Sequence, residues 1–172
     1  ERFRQVVEAA PNAMVMIGPT GLIEMVNLQA EALFGYARAE MLGQPIETLV
    51  PKRFRRGHPK LRTGFFEAPQ SRPMGAGRDL FGLKKDGSEF PIEIGLNPIE
   101  TDEGIKVLSA IVDNRGRKQL EERFRQVVES APNAMVMIDA SGRIVMVNAQ
   151  AEKVFGYHRA ELLNQPIEML VP

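Results

Sequence analysis

The chain has no cysteine. Disulfides, thiolate nucleophiles and Cys-ligated metals are therefore excluded, and so is flavin photochemistry through a cysteinyl adduct. It has no tryptophan and only two tyrosines; non-covalent flavin stays open, although no aromatic-rich box argues for it. It has no excess of charge, with 22 basic residues against 22 acidic ones, which leaves no electrostatic argument for binding nucleic acid or an anionic membrane. No apolar run approaches the ~20 residues of a membrane span, no signal peptide is apparent, and the expected location is the cytoplasm. No Gly-rich phosphate loop, Ser-His-Asp arrangement or metal-spaced cluster occurs, so the chain is not expected to be an enzyme.

What the sequence does contain is a repetition. Glu1–Pro51 and Glu122–Pro172 align without a gap and differ at 13 of 51 positions. A repeat this long is a repeated domain rather than a solenoid unit. The expected organisation is a first domain over 1–117, a linking helix over 118–131, and the N-terminal part of a second domain over 132–172, cut short within its fold. Differences between the copies collect at Gly18-Pro19-Thr20 against Asp139-Ala140-Ser141, and at Leu22/Arg143 and Glu24/Val145. These are turn and alternate-strand positions. Met14–Ile17 are unchanged, as buried positions would be.

Spacing of apolar residues predicts a helix over "RFRQVVEAA" (Phe3, Val6, Val7, Ala10) ended by Pro11. A hairpin follows around "GPTG". Asn27 is placed to cap "LQAEALFGY", with Ala30, Leu33 and Phe34 inward and Gly35 as its stop. "RAEMLGQPIETLV" reads as two short helical turns split by Gly43 and Pro45. The basic stretch "PKRFRRGHPKLRTGFFEAP" predicts a partial helix broken near Gly57 and Pro59. A hairpin around Lys85-Asp86-Gly87-Ser88, the turn "TDEG" and the strand "IKVLSAIVD" complete the unit. The expected fold class is α+β: five antiparallel strands with short helices on one face, enclosing an interior where a small ligand can sit.

The segments N27-x-x-A30-E31-x-x-F34-G35-Y36 and K85-D86-G87-S88-x-F90-P91, and a strand ending at Asp113 before a charged helix, resemble the PAS sensory domain family. The resemblance covers Glu1–Arg117 end to end, and Glu122–Pro172 resembles the first half of a second such domain. It implies a tandem PAS arrangement: a signal-input module that binds a small ligand or mediates dimerisation, and that regulates an output domain such as a histidine kinase or a diguanylate cyclase. The family's Asp-Ile-Thr outlet stands here as Asp113-Asn114-Arg115. Gly116 costs about 1 kcal/mol relative to Ala inside a helix, so a continuous helix is not expected through this point. Beyond it, Leu120, Phe124, Val127 and Ala131 form one apolar stripe. Two readings of it stand: a helix packed on its own domain, or a seam with a second chain.

A weaker resemblance is to the haem-bearing PAS domain of oxygen-sensing histidine kinases. It implies His58 as axial iron ligand and Arg78, twenty residues on, as donor to bound oxygen, in a pocket with Met74, Ile94 and Leu96. Gly64 and Pro73 depart from that pattern, and Gly57 and Pro59 flank His58. The alternative is that His58 caps or packs locally. A neutral imidazole on iron, between an apolar face and one donor, suits reversible oxygen binding. His158 reads as a surface histidine. The basic run Lys52–Arg62 reads as a solvated face, since its aromatics are spaced as core residues and not as stacking platforms.

Three functions follow as expectations: a PAS input module with a small ligand, a haem-based gas or redox sensor, and a ligand-free dimerisation module. Self-association is expected, with domain swapping through 122–172 as one route, because that segment can compete for the complementary half Lys52–Asp113.

Overall fold

The computed structural model describes residues 2–74 and 79–172. The chain divides into two compact units, Glu1–Gly116 and Arg117–Pro172.

The first unit opens with α1 (Arg2–Ala9), then β1 (Ala13–Ile17) and β2 (Ile23–Val26). Helix α2 (Leu28–Phe34) starts where predicted: the Asn27 side chain accepts from Ala30 N, and Gly35 closes the helix with φ 78°. A residue with that φ is left-handed, which glycine adopts at no steric cost. Helix α3 (Arg38–Met41) and 3-10 turns over Ile46–Leu49 and Lys52–Phe54 lead to α4 (His58–Glu67). Then come β3 (Arg72–Pro73), β4 (Leu80–Leu83), β5 (Glu89–Thr101) and β6 (Gly104–Asp113). All strand pairings are antiparallel in the order β2-β1-β6-β5-β3, with β4 also on β5. The unit is α+β, as expected.

Three expectations need correction. The sheet has six strands and not five, because Arg72 and Pro73 pair with Leu96 and Gly95; a proline is tolerated on such an edge. Gly57 and Pro59 do not break a helix. They begin α4, with Pro59 in its first turn, where a missing N–H has no intrahelical partner to lose. Nor does Gly116 interrupt the outlet: α5 runs from Arg115 to Ser130, and Gly116 falls in its first turn, where its helix-interior penalty does not fully apply.

The core lies between the sheet and α2–α4. Val15, Ile17, Ile23, Val26, Phe34, Met41, Leu49, Phe65, Phe90, Val107 and Ile111 form one cluster, in which Phe34 and Phe90 meet edge-on at 5.6 Å between ring centroids. Asn27 is buried with this cluster, and every hydrogen-bonding position of its amide is used. Its Oδ1 accepts from Met14 N (2.8 Å) and Ala30 N (3.0 Å), and its Nδ2 donates to Val7 O (3.0 Å) and Asn12 O (2.9 Å). In α1 only Val7 is buried; Phe3 and Val6 are exposed.

The second unit repeats this start. After α5 come β7 (Val136–Ile138), β8 (Ile144–Val147), α6 (Ala149–Phe155), α7 (Arg159–Leu162) and a 3-10 turn over Ile167–Leu170. Asn148 is buried and makes the same four bonds, to Met135, Ala151, Val128 and Asn133. Burial of the invariant apolar run differs. Ile17 is 6% exposed and its counterpart Ile138 46%; Phe34 is 1% exposed and Phe155 38%. The expectation that the unchanged run is buried holds for Val15, Met16 and Ile17 of the first copy, with Met14 half-buried, and not in the second. There β1 lies between β2 and β6, whereas among the described residues β7 pairs with β8 alone.

Replacing Asn27 by Ala removes two donors and the acceptor of two backbone N–H groups at a buried site. The first unit is expected to lose on the order of 3 kcal/mol, measured as a lower midpoint in urea unfolding.

Candidate functional site

His58 is the first residue of α4, and its ring faces back to the 3-10 turn over Ile46–Leu49. Its Nδ1 lies 2.8 Å from Glu47 Oε1, with both side chains largely buried. A carboxylate oxygen only accepts, so Nδ1 carries the proton; in the neutral ring Nε2 keeps its lone pair. Arg62, one helical turn on, brings Nε within 3.3 Å of the same Glu47 oxygen. That is ion-pair reach but off the line of a hydrogen bond, and Arg62 Nε has no hydrogen-bond partner. The Arg62 guanidinium passes over Gly21, where a Cβ would fall 1.4 Å from Nη1 and where φ is +80°. Glu47 thus holds two bases of α4, and Gly21 leaves room for one of them.

Burial works to raise the pKa of Glu47. The hydrogen bond from His58, a backbone bond and the charge of Arg62 outweigh it, and the carboxyl titrates below the ordinary glutamate value.

The other sequence-predicted residues separate from this trio. Met74 N donates to Ile94 O at 2.8 Å, and Leu96 pairs with Arg72 across β3–β5. Ile94 and Leu96 pack against the core cluster, while Met74 is half-buried. Three of the five expected residues therefore lie together at the β3–β5 edge, and His58 sits with Glu47. Arg78 lies outside the described residues. The Arg72 guanidinium stands 5.1 Å from the centroid of Phe65, a core residue of α4. A surface cleft of about 330 Å³ between Ala32–Gly35 and Lys84–Asp86 includes none of the candidate residues. His158 is exposed, as expected.

Sequence reasoning missed Glu47 and Arg62. Arg62 was readable as part of α4, four residues after His58, but Glu47 lies eleven residues before His58, across two turns. Among the described residues no group of three or more His, Asp or Glu is placed to hold a metal ion, and no helix is long and apolar enough to cross a membrane. For haem the donor set fits: an imidazole whose Nδ1 is oriented by a carboxylate keeps Nε2 for a metal.

With this geometry, the chain can be set beside known proteins. The PAS domain family matches residues 11–115 and the PAS fold family residues 122–172. The chain belongs to the PAS domain family. PAS domains are sensory modules without catalytic machinery. The chain is similar to the oxygen sensor protein DosP of Escherichia coli, 28% identical over 146 residues that cover 83% of this chain and 18% of that protein. It is similar to the signal transduction histidine-protein kinase AtoS of Escherichia coli, 30% identical over 104 residues, covering 58% of this chain and 16% of that protein. Among solved structures it resembles the PAS domain of a protein from Colwellia psychrerythraea, with TM-score 0.57, 21% identity, and coverage of 67% of this chain and 97% of that one. The PAS chain thus spans less than a fifth of either curated relative.

Glu47→Gln is expected to destabilise the first unit at pH 7. The folded-state pKa of Glu47 is depressed, so its contribution is present above the unfolded value of about 4.3 and is lost as pH falls through the folded value. The gap in melting temperature between wild type and Glu47→Gln should be open at pH 7 and narrow steadily as pH is lowered below the unfolded value.

Proposed function

We propose that this PAS pair is the input part of a cytoplasmic signalling protein, whose first unit takes a small apolar ligand between the sheet and α4 and regulates an output domain, a histidine kinase or a diguanylate cyclase. The observation that carries this reading is the β3–β5 edge, where Met74, Ile94 and Leu96 come together beside a core closed by Phe65. Differential affinity of the ligand for two packings of that core would bias the output. The likeness to AtoS supports a kinase as the output. Release of small molecules from denatured protein, analysed by mass spectrometry, tests the reading; a stoichiometric apolar compound is expected, and protein that is empty however it is produced would leave a ligand-free interaction module.

A second reading is favoured by the Nδ1 contact of His58 with Glu47 and by the likeness to DosP. In it His58 would hold haem through Nε2, and Arg78 would act as donor to a bound gas, as the family resemblance implies. Haem would supply reversible coordination of a diatomic gas; the protein's part is to fix the imidazole tautomer through Glu47. Protein expressed with haem precursor is expected to show a Soret band that His58→Ala abolishes and Glu47→Gln shifts. No band in wild type retires this reading.

Self-association belongs to the same proposal. Leu120, Phe124 and Val127 on α5 are exposed, Leu120 by 69% and Val127 by 68%, which supports a seam with a second copy over one in which they pack on their own unit. Exchange of 122–172 between copies is an alternative route. Leu120→Glu with Phe124→Glu is expected to turn a dimer into a monomer in sedimentation velocity, without loss of helical circular dichroism. A dimer that survives both charges would point to exchange of 122–172 instead.

A further inference from the structure

The chain holds nine methionines, and six of them stand at matching places in the two copies of the first hairpin. In the second unit Met137 and Met146 are register partners across β7–β8. Met135 lies two residues before Met137 and continues the same extended line: its N–H donates to Asn148 Oδ1 at 2.9 Å, and its carbonyl accepts from Asn148 N at 3.1 Å. Side chains alternate along a strand, and residues directly opposite each other share a face. Val136 and Val147 belong to the small core of this unit. Met135, Met137 and Met146 therefore leave the hairpin on its other face. Met135 and Met137 are each 42% exposed, and Met146 is half-buried.

Packing does not account for this set. Elsewhere the repeat exchanges methionine: Met41 stands against Leu162, and Thr48 against Met169. On the outward face of the hairpin all three positions are methionine in both copies, as Met14, Met16 and Met25 in the first. What differs is the cover. In the first unit β6 lies beside β1, with Leu108 opposite Met16 and Ala110 opposite Met14, and Met16 is only 6% exposed. There the thioethers pack. Among the described residues β7 pairs with β8 alone, and the thioethers of the second unit are open to solvent. A thioether is a soft, polarisable and neutral donor. Soft sulfur ligands select Cu(I) over hard cations, and three neutral donors bring no charge to offset a second positive one. Opposite Cβ atoms lie about 5 Å apart, and two residues of strand rise about 6.6 Å. Three rotatable bonds in each methionine let the sulfurs converge across those gaps.

We propose that the outward face of β7–β8 binds one soft monovalent cation, of the Cu(I) class, through Sδ of Met135, Met137 and Met146. The ion ties β7 to β8 through their side chains, on the face opposite the small core. Met14, Met16 and Met25 are the packed form of the same set and supply an internal control within the chain. The inference stands apart from the ligand and haem readings above, since neither of them uses these residues.

Ag(I), a redox-stable ion of the same softness, is the probe, titrated into the full 172-residue chain in competition with free methionine and counted by native mass spectrometry. Wild type is expected to hold one Ag(I) more than the variant with Met135→Leu, Met137→Leu and Met146→Leu together, at the same free concentration. Leucine keeps the volume, and counting by difference cancels any ion taken by His58 or His158. Met137→Leu alone should weaken that ion about tenfold or more, since changes even to groups behind the ligands shift metal affinity about 10- to 100-fold. The matching variant with Met14→Leu, Met16→Leu and Met25→Leu should leave the ion in place. Circular dichroism checks that each variant folds; should the first triple variant unfold, Met137→Leu, at an exposed position, carries the comparison. Equal Ag(I) binding by wild type and the folded second-unit variant overturns the proposal, as does loss of the same ion from a folded Met14, Met16 and Met25 variant.

Discussion

A buried side-chain amide sets the frame of each unit. Asn27 offers two N–H donors and an oxygen that accepts twice, and four backbone groups from α1, the loop after it, β1 and α2 use all of them. Aspartate at this position would present oxygen to the carbonyls of Val7 and Asn12, and leucine would leave four polar groups without partners away from water. The interaction fixes three directions at once: where α1 ends, where β1 begins and where α2 leaves the sheet. Asn148 repeats the set with nearly the same distances. The 13 differences between the copies fall around this residue and leave it, Val7 and Val128, and the paired Glu-Arg contacts unchanged.

The repeat also separates local from non-local contributions to burial. Ile144, Val147, Ala151 and Leu162 form a closed small cluster in the second unit, and their counterparts Ile23, Val26, Ala30 and Met41 are equally buried in the first. These residues are covered by their own hairpin and the helices that follow it. Ile138 and Phe155 are the ones left exposed, and their counterparts Ile17 and Phe34 are covered by β6, β4 and Phe90, which come from the later half of the first unit. Substitutions follow the same division. Met41 against Leu162 conserves volume in the local cluster. Gly43 against Asn164 keeps a left-handed backbone, φ 76° and 64°, which Asn tolerates better than most residues. Glu24, whose carboxylate reaches Lys106 at 2.7 Å, is Val145 in the second copy.

Features that are local in sequence were legible before the structure. The Asn27 cap, the Gly35 stop, the Asp86-Gly87 turn and the two hairpins each depend on a few adjacent residues, and each appears where the residue chemistry placed it. Features that depend on distant partners were not. A two-residue strand at Arg72–Pro73 exists only because β5 is long enough to offer Leu96 and Gly95 beyond its pairing with β4, and no periodicity can signal two residues. The effect of Gly and Pro also depends on where they fall: the same residues end a helix in its interior and start one at its first turn, so Gly57, Pro59 and Gly116 misled until the helix ends were known. At the candidate site His58 was visible as a rare residue, but its partner Glu47 is one of many glutamates and is singled out only by distance.

That partner explains how α4 is held. Ten residues long, it buries a single side chain, Phe65, so apolar contact contributes less to it than to the sheet. Its attachment is largely polar: His58 and Arg62 meet on one Glu47 carboxylate, and Arg72 lies on the face of Phe65. Elements with few buried apolar contacts open at lower cost than the core they cover, and ligand-gating segments are drawn from that end of the stability range. The sheet-side residues Ile94 and Leu96 belong to the long β5–β6 ladder and are fixed by it. Under the proposed reading, a ligand between them and α4 would meet one rigid wall and one wall held by charge. In the proposed ligand-binding reading, α4 would be the wall that yields, because its polar attachment runs through the one Glu47 carboxylate.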